Sequence, residues 1–375
     1  MEKVFARVSS SSPLSVAVAR TSQSPFPLPA IFQKHRNKMS LCKLCSQREA
    51  DKKNTHYLTD SIIRTCLNKD GSNIREQGLY FDMSTSNPFI KFNFQRLNQE
   101  TLQSIFEREP TEEELENARM IPFSVDFVFC SECEKKFTEI ENKFTKEILP
   151  KLRKNDLNNL EELVFEERKI IRDFFYIQIY RSAECDTAFN LNDDFRDKLK
   201  DIILNDIDDN SIPLSITYLQ TLGGPEYYTQ NYVGFTSDKT PKIIIMNDFV
   251  IQVFEKSDEI SFLDFYGLNK EASYREFVNI EERYFKINIL TDIERKQFIN
   301  ALMLDVKVRP TIEYFKKCFE LMWVKLFNFY PTESEKALFV YNLVTTNPND
   351  LLKFTEEQVI DFTKEYLNKL ILCRR

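Results

Sequence analysis

Two Cys-x-x-Cys pairs, Cys42/Cys45 and Cys130/Cys133, are the residues of this chain best suited to chemistry. Thiolates at this spacing can occupy two corners of a tetrahedron, so two such pairs make a complete ligand set for one Zn²⁺ ion. A site with four protein ligands is closed, and closed zinc sites are structural. The sequence therefore predicts one structural zinc ion that joins two segments far apart along the chain.

One histidine, His56, lies between the two pairs. The only other histidine, His35, belongs to a terminal segment rich in Ser, Pro and Arg, which leaves His56 as the candidate for imidazole chemistry. Near a zinc site an imidazole can be a general base, a metal ligand or a hydrogen-bonding group. Because four cysteines are present, sulfur ligation is favoured, and the role of His56 stays open between base and structural group.

Composition excludes several functional classes. With six glycines, the chain has neither the G-x-G-x-x-G dinucleotide motif nor the phosphate-loop motif. Its net charge of −7 means that any nucleic-acid contact needs a local basic patch. There is no run of about 18 apolar residues, so we predict no membrane-spanning helix and no membrane partner. Isolated cysteines beside metal-type pairs indicate a reducing compartment, and we predict a cytoplasmic protein.

Four segments of the chain carry a resemblance to known proteins: Cys42-Lys43-Leu44-Cys45, Thr55-His56-Tyr57-Leu58-Thr59-Asp60, Cys130-Ser131-Glu132-Cys133-Glu134-Lys135-Lys136-Phe137 and Tyr180-Arg181-Ser182. Together they resemble a group of uncharacterised bacterial HNH-like proteins. The pattern of that group is C-x-x-C, then Ser-His-Ile-Ile-Pro, then C-x-x-C-E-x-x-F, then an aromatic-Arg-Ser sequence. The resemblance covers roughly residues 40 to 185.

This resemblance implies a treble-clef zinc module, in which the metal joins a loop to the N-terminus of a helix. It implies an HNH-type endonuclease that acts on foreign DNA or RNA in bacterial defence. His56 would be the general base, and a separate divalent cation such as Mg²⁺ would be bound by other side chains. The candidate catalytic residues are His56, Asp126 and Glu134, with Glu139 and Glu141 as further acids of the motif.

The chain departs from the HNH pattern at three places. Thr59 replaces the proline after the histidine, Thr55 stands before His56, and the helix after Cys133 contains no histidine. These departures favour a second hypothesis, a non-catalytic module stabilised by zinc that binds protein or nucleic acid. In this hypothesis the C-terminal domain contacts a protein partner.

We predict an α+β protein with three regions. Residues 1–38 lack apolar periodicity, which predicts a disordered or non-native N-terminal extension. A transit peptide is the alternative, and composition favours an extension upstream of a native start at Met39. Residues 39–150 form the zinc module. Residues 151–375 form a helical domain with a small antiparallel sheet at about residues 212–256.

Apolar periodicity predicts the elements of these regions. Strands are predicted at Phe123–Phe129, Leu214–Leu219, Tyr228–Phe235, Lys242–Met246 and Phe249–Phe254. Helices are predicted at about Ser131–Leu149, Asp194–Leu204, Glu294–Leu304, Pro310–Phe329, Glu333–Val344 and Glu356–Leu372. An apolar stripe between Leu157 and Ile177 predicts a central helix.

Overall fold

The computed structural model describes residues 40–63, 80–82, 92–93, 99–106, 108–112, 114–115, 123–153, 155–220, 231–236, 239–346 and 356–373. The described residues all belong to one compact unit. The predicted extension at residues 1–38 lies outside the described residues. Within the described part of the chain, no helix combines the length and the apolarity that a membrane crossing requires.

The described residues form a mixed α and β structure, as predicted. The strands are β1 (Thr55–His56), β2 (Tyr80–Asp82), β3 (Phe92–Asn93), β4 (Ser124–Val125), β5 (Glu162–Phe165), β6 (Leu214–Leu219), β7 (Asn231–Thr236), β8 (Lys242–Met246), β9 (Phe249–Val253) and β10 (Phe285–Leu290). The helices are α1 (Asp60–Ile63), α2 (Gln99–Phe106), α3 (Ser131–Glu147), α4 (Leu149–Arg153), α5 (Arg168–Cys185), α6 (Asp193–Asn205), α7 (Asp292–Met303), α8 (Arg309–Phe327), α9 (Glu333–Thr346) and α10 (Glu356–Cys373).

The main sheet is larger than predicted, and it is mixed rather than antiparallel. Among the described strands its order is β3-β2-β7-β8-β9-β6-β10-β5. The predicted antiparallel strands form its centre, with β7, β8, β9 and β6 side by side. The sheet extends beyond this centre on both sides, because β10 pairs with β6 in parallel and β2 pairs with β7 in parallel. Parallel neighbours come from distant parts of the sequence, so local periodicity does not reveal them.

The central helix begins later than its apolar stripe predicts, at Arg168, and the first part of the stripe forms strand β5 instead. Leu163 and Val164 pair with Ile287 and Lys286 of β10, and this long-range ladder overrides the local helical pattern. The strand predicted at Phe123–Phe129 is reduced to β4. Phe127, which follows it, has a φ of 59°, a left-handed conformation that ends an extended strand.

Helix α5 is the centre of the molecule. From Ile171 to Ser182 its side chains are buried, with Asp173 as the half-buried exception. A helix buried on all sides must contact other elements around its circumference. Phe144 of α3 stacks on Phe174 with ring centroids 3.8 Å apart, and Phe175 contacts Phe249 of β9 at 5.6 Å. Residues on both sides of position 150 therefore share one core.

The C-terminal helices α8, α9 and α10 form a separate apolar cluster. Phe319 of α8 stacks on Phe339 of α9 with centroids 4.5 Å apart, and both rings are fully buried. Trp323 lies one turn further along α8 and is 5.4 Å from Phe319. Tyr366 of α10 also belongs to the cluster, and its ring centroid is 5.2 Å from that of Phe339.

Candidate metal centre

The four predicted ligands, Cys42, Cys45, Cys130 and Cys133, converge. Their sulfur atoms all lie within 4.8 Å of one another, and the Sγ atoms of Cys45 and Cys130 are 3.9 Å apart. Sulfurs placed about 2.3 Å from a tetrahedral zinc ion are about 3.8 Å apart, so the spacing fits such an ion. The predicted convergence is confirmed, and the cluster could hold a metal ion.

Backbone hydrogen bonds shape the loop that contains the first two ligands. The N–H of Cys42 donates to the carbonyl of Arg48 at 2.7 Å, and the N–H of Ser46 donates to the carbonyl of Cys42 at 2.8 Å. Ser46 has a φ of 54°, which turns the chain sharply after Cys45. The loop thereby brings the Cys42 and Cys45 sulfurs to one side.

The other two ligands come from the start of helix α3. Cys130 is its N-cap residue, and Cys133 lies in the first turn. Asp51 supplies the cap: its Oδ1 accepts the backbone N–H of Ser131 at 2.7 Å, and its Oδ2 accepts the Ser131 hydroxyl at 3.0 Å. These bonds hold the pKa of the Asp51 carboxyl below its usual range. Asp51 thus joins the first loop to the helix that contains the second pair.

The thiol groups of the cluster change one another's pKa. A hydrogen bond from Cys133 lowers the pKa of Cys42 to about 4, and the same contact is the main reason that the pKa of Cys133 is raised. One thiolate is therefore stabilised by a neighbour that keeps its proton, because several thiolates this close repel one another. A bound cation would remove that conflict. The Arg48 guanidinium, which hydrogen bonds to Cys130, adds a positive charge beside the cluster, and the contact raises the pKa of Arg48.

The three predicted catalytic residues lie near this cluster in sequence but in different surroundings. His56 is half-buried on β1, where it pairs with Ser124 of β4. Asp126 is exposed, and its Oδ1 accepts the backbone N–H of Asn54 at 2.7 Å. Glu134 lies on α3, and burial raises the pKa of its carboxyl to about 7. Their catalytic roles stay predictions.

A second cation site does not emerge from the described residues. Within those ranges, the four cysteines are the one group of three or more His, Cys, Asp or Glu side chains close enough to share an ion. Asp126 is exposed and accepts a hydrogen bond from the Asn54 N–H, whereas the Glu134 carboxylate is mostly buried and lies near Arg181. The predicted Mg²⁺ ion has no complete ligand set in this part of the chain.

Sequence reasoning missed a buried polar network between the metal-binding region, residues 40–63 and 123–153, and α5. Nη1 of Arg181 donates to Glu141 Oε1 at 2.8 Å, and Nη2 lies 3.9 Å from Glu134 Oε2. Glu141 also accepts the hydroxyl of Thr59 at 2.7 Å, and Gln178 bonds both the N–H and the hydroxyl of Thr59. The available signal was a charged residue, Arg181, directly after the mostly apolar run Phe174–Tyr180 of this helix.

Comparisons of the chain with protein-family models, with curated proteins and with solved structures give no match. The HNH-type resemblance therefore stays a prediction. The four-cysteine cluster is the feature of it that the geometry supports.

Proposed function

We propose that this protein is a zinc-stabilised binding module on an HNH-like frame, without nuclease activity. The frame consists of the Cys42–Cys45 loop, the β1–β4 strand pair and helix α3, in the order expected for a treble clef. The strand pair precedes the helix, and the helix begins at the second cysteine pair. This order supports the treble-clef assignment, which is part of the proposal.

Zinc is the proposed metal because of the donor set. Four thiolates at distances that fit tetrahedral coordination suit Zn²⁺, whereas Mg²⁺ and Ca²⁺ prefer oxygen ligands. Four protein ligands leave no open position for water or substrate, so the ion has a structural role. The bound ion would fix the loop and the start of α3 against each other.

One observation carries the non-catalytic role: the acids of α3 that face α5 are bound by Arg181. The guanidinium is only 3% exposed, and it lies 2.8 Å from Glu141 and 3.9 Å from Glu134. An arginine keeps its charge at all physiological pH values. A divalent cation at these carboxylates would be placed beside a fixed positive charge in a region of low dielectric, which disfavours its binding.

A second candidate function, the predicted HNH-type nuclease, is favoured by the position of His56. Its strand pairs with β4 immediately before the metal-binding helix, as a general base on this frame requires. Several exposed cations surround the first loop and offer the local basic patch that nucleic acid needs: Lys43, Arg48, Lys52 and Lys53.

A cleavage assay separates the two functions. Purified wild type and His56→Ala are incubated with single- and double-stranded DNA and with RNA, each with Mg²⁺ or Mn²⁺. The proposed function predicts no cleavage above background for either protein. Cleavage by wild type that disappears in His56→Ala, with zinc content and melting temperature unchanged, would establish the nuclease instead.

A further inference from the structure

Strand β5 ends the main sheet and has a strand neighbour on one side only, among the described strands. It pairs antiparallel with β10, and the N–H of Ile289 donates to the carbonyl of Glu161 at 2.9 Å. Along an antiparallel strand, the backbone N–H and C=O groups of one residue bond to the neighbouring strand, and those of the next residue point away from it. The N–H and C=O groups of Leu163 therefore bond to β10. Those of Glu162 and Val164 point to the opposite side, away from the sheet.

A cavity of about 540 Å³ lies beside this open edge. Its apolar lining comes from Leu157, Leu160, Leu163 and Phe165. Its polar lining consists of the ion pair between Lys151 and Glu167 together with Asn155, Asp156 and Glu166. A cavity of this size can accept one or two side chains of a bound ligand.

Two apolar side chains are left exposed at the same place. Val164 is 53% exposed and Leu160 is 42% exposed. An open strand edge with exposed apolar side chains favours pairing with another chain, and proteins protect such edges with charges or bulges. Here both features adjoin a cavity, so backbone pairing groups and a recess for side chains lie at one place.

Acidic side chains outnumber basic ones at the edge. Residues 155–167 contain five acids and no Lys or Arg, between Lys154 and Arg168. Cations partly compensate three of these acids: Lys270 lies 4.0 Å from Glu161, Lys286 lies 3.5 Å from Glu162, and Lys151 pairs with Glu167. The remaining two, Asp156 and Glu166, are exposed, and no ion pair is found for either among the described residues. A ligand with positive charge is therefore favoured, and the phosphates of nucleic acid are repelled.

We propose that the β5 edge binds an extended, basic segment of a partner protein as an additional strand. The outward N–H and C=O groups of Glu162 and Val164 would pair with the backbone of that segment. Its apolar side chains, at alternate positions, would enter the cavity, and its Lys or Arg side chains would face Asp156 and Glu166. In such strand addition the backbone supplies affinity and the pocket supplies specificity. The inference names a partner class for the proposed binding role and rests on that role.

The test uses a fluorescent peptide of about seven residues in which Val and Lys alternate, roughly the length of a strand. Binding to the full chain is measured by fluorescence anisotropy. Two control peptides carry Glu in place of Lys, or Pro in place of the central residues, which removes backbone donors. We expect saturable binding of the Val/Lys peptide and at least about tenfold weaker binding of each control.

Val164→Pro is the matched protein variant. Its N–H points away from β10, so proline removes an outward donor without breaking the sheet. Val164→Thr keeps the N–H and the shape, and it should bind as wild type does. Glu166→Lys should weaken binding severalfold and reduce its dependence on salt.

Hydrogen exchange gives a second readout that does not depend on the proline variant folding. On peptide binding, the amides of Glu162 and Val164 should gain protection, and the amides of α8 should not.

No binding up to roughly millimolar peptide, equal binding of the proline peptide, or unchanged exchange at β5 would each overturn the inference. So would a dimer that Val164→Pro abolishes, because the edge would then serve a second copy. Nuclease activity would overturn the proposed function while leaving peptide binding intact, so the two failures are distinguishable.

Discussion

The metal-binding region, residues 40–63 and 123–153, and the C-terminal helices α8 to α10 are held together by different contacts. In the metal-binding region, a loop and the start of one helix meet at four sulfurs, and a pair of two-residue strands lies between these segments in the sequence. In the C-terminal helices the buried cluster consists of Phe, Leu, Val and Trp side chains, with rings stacked or edge to face. The first region combines buried apolar side chains with a cysteine cluster that could hold an ion, whereas the C-terminal helices are joined by apolar packing.

This difference has a structural reason. Short loops and two-residue strands bury little backbone and supply few repeated hydrogen bonds, so they need a local anchor. Helices α8 and α9 have apolar residues at helical spacing and can bury a continuous face against each other. Loss of the metal and loss of a core ring should therefore affect different parts of the chain.

The largest effect is expected from Cys130→Ser or from removal of the metal by a strong chelator. Structural zinc contributes about 10 kcal/mol or more in small zinc modules, and serine cannot replace a thiolate ligand. Amides of residues 40–63 should lose protection in hydrogen exchange, while those of α8 and α9 retain it. Cys318→Ser, which changes an isolated cysteine of α8, is the control. Full metal content and unchanged exchange in Cys130→Ser would contradict the metal assignment.

The second effect tests the C-terminal helices. Phe319→Ala removes a fully buried ring that stacks on Phe339, and it should lower the free energy of unfolding by about 3–5 kcal/mol. Denaturant unfolding measures the loss, and metal content should not change. Leu321→Ala on the same helix is the control, because Leu321 is 58% exposed and its loss should cost less than about 0.5 kcal/mol. Equal effects of the two variants would show that the ring stack is not the main contact.

The third effect tests the contact between the metal-binding region and α5. Arg181→Met should lower the free energy of unfolding by about 2 kcal/mol, less than for a fully buried pair, because Glu141 is 22% exposed. Adding Glu141→Gln should recover part of this loss, since the unpaired carboxylate is then removed. Thermal or denaturant unfolding of the two single variants and the double variant measures the coupling. Additive losses would mean that the two residues do not interact.

The smallest effect is the pH dependence of the cap on α3. The pKa of Asp51 is lowered in the folded protein because its carboxylate accepts the Ser131 N–H. The stabilisation is therefore complete above the unfolded pKa, near 4, and is lost as the pH falls through the lower folded pKa. Asp51→Asn should be less stable at neutral pH and should show a shallower loss of stability below about pH 4. Identical pH profiles of the two proteins would exclude this cap as a contributor.

The elements with local signals were predicted closely. Strands β6 and β8 have the predicted bounds, and α10 extends one residue beyond the predicted Glu356–Leu372. The four cysteines of the cluster were also evident, because the spacing within each pair is a property of a few neighbouring residues. The apolar segment that forms β5 was predicted as helix, because the periodicity of a short apolar run does not distinguish a strand from a helix.

The sequence by itself determined the cysteine ligand set, the α+β class and the periodic elements, because each depends on residues close together along the chain. The tertiary structure alone decided that β10 pairs with β5 and β6 and that Arg181 meets Glu141 and Thr59. These contacts join residues tens of positions apart, and their free energy depends on burial and hydrogen-bond geometry that exist only after the chain has folded.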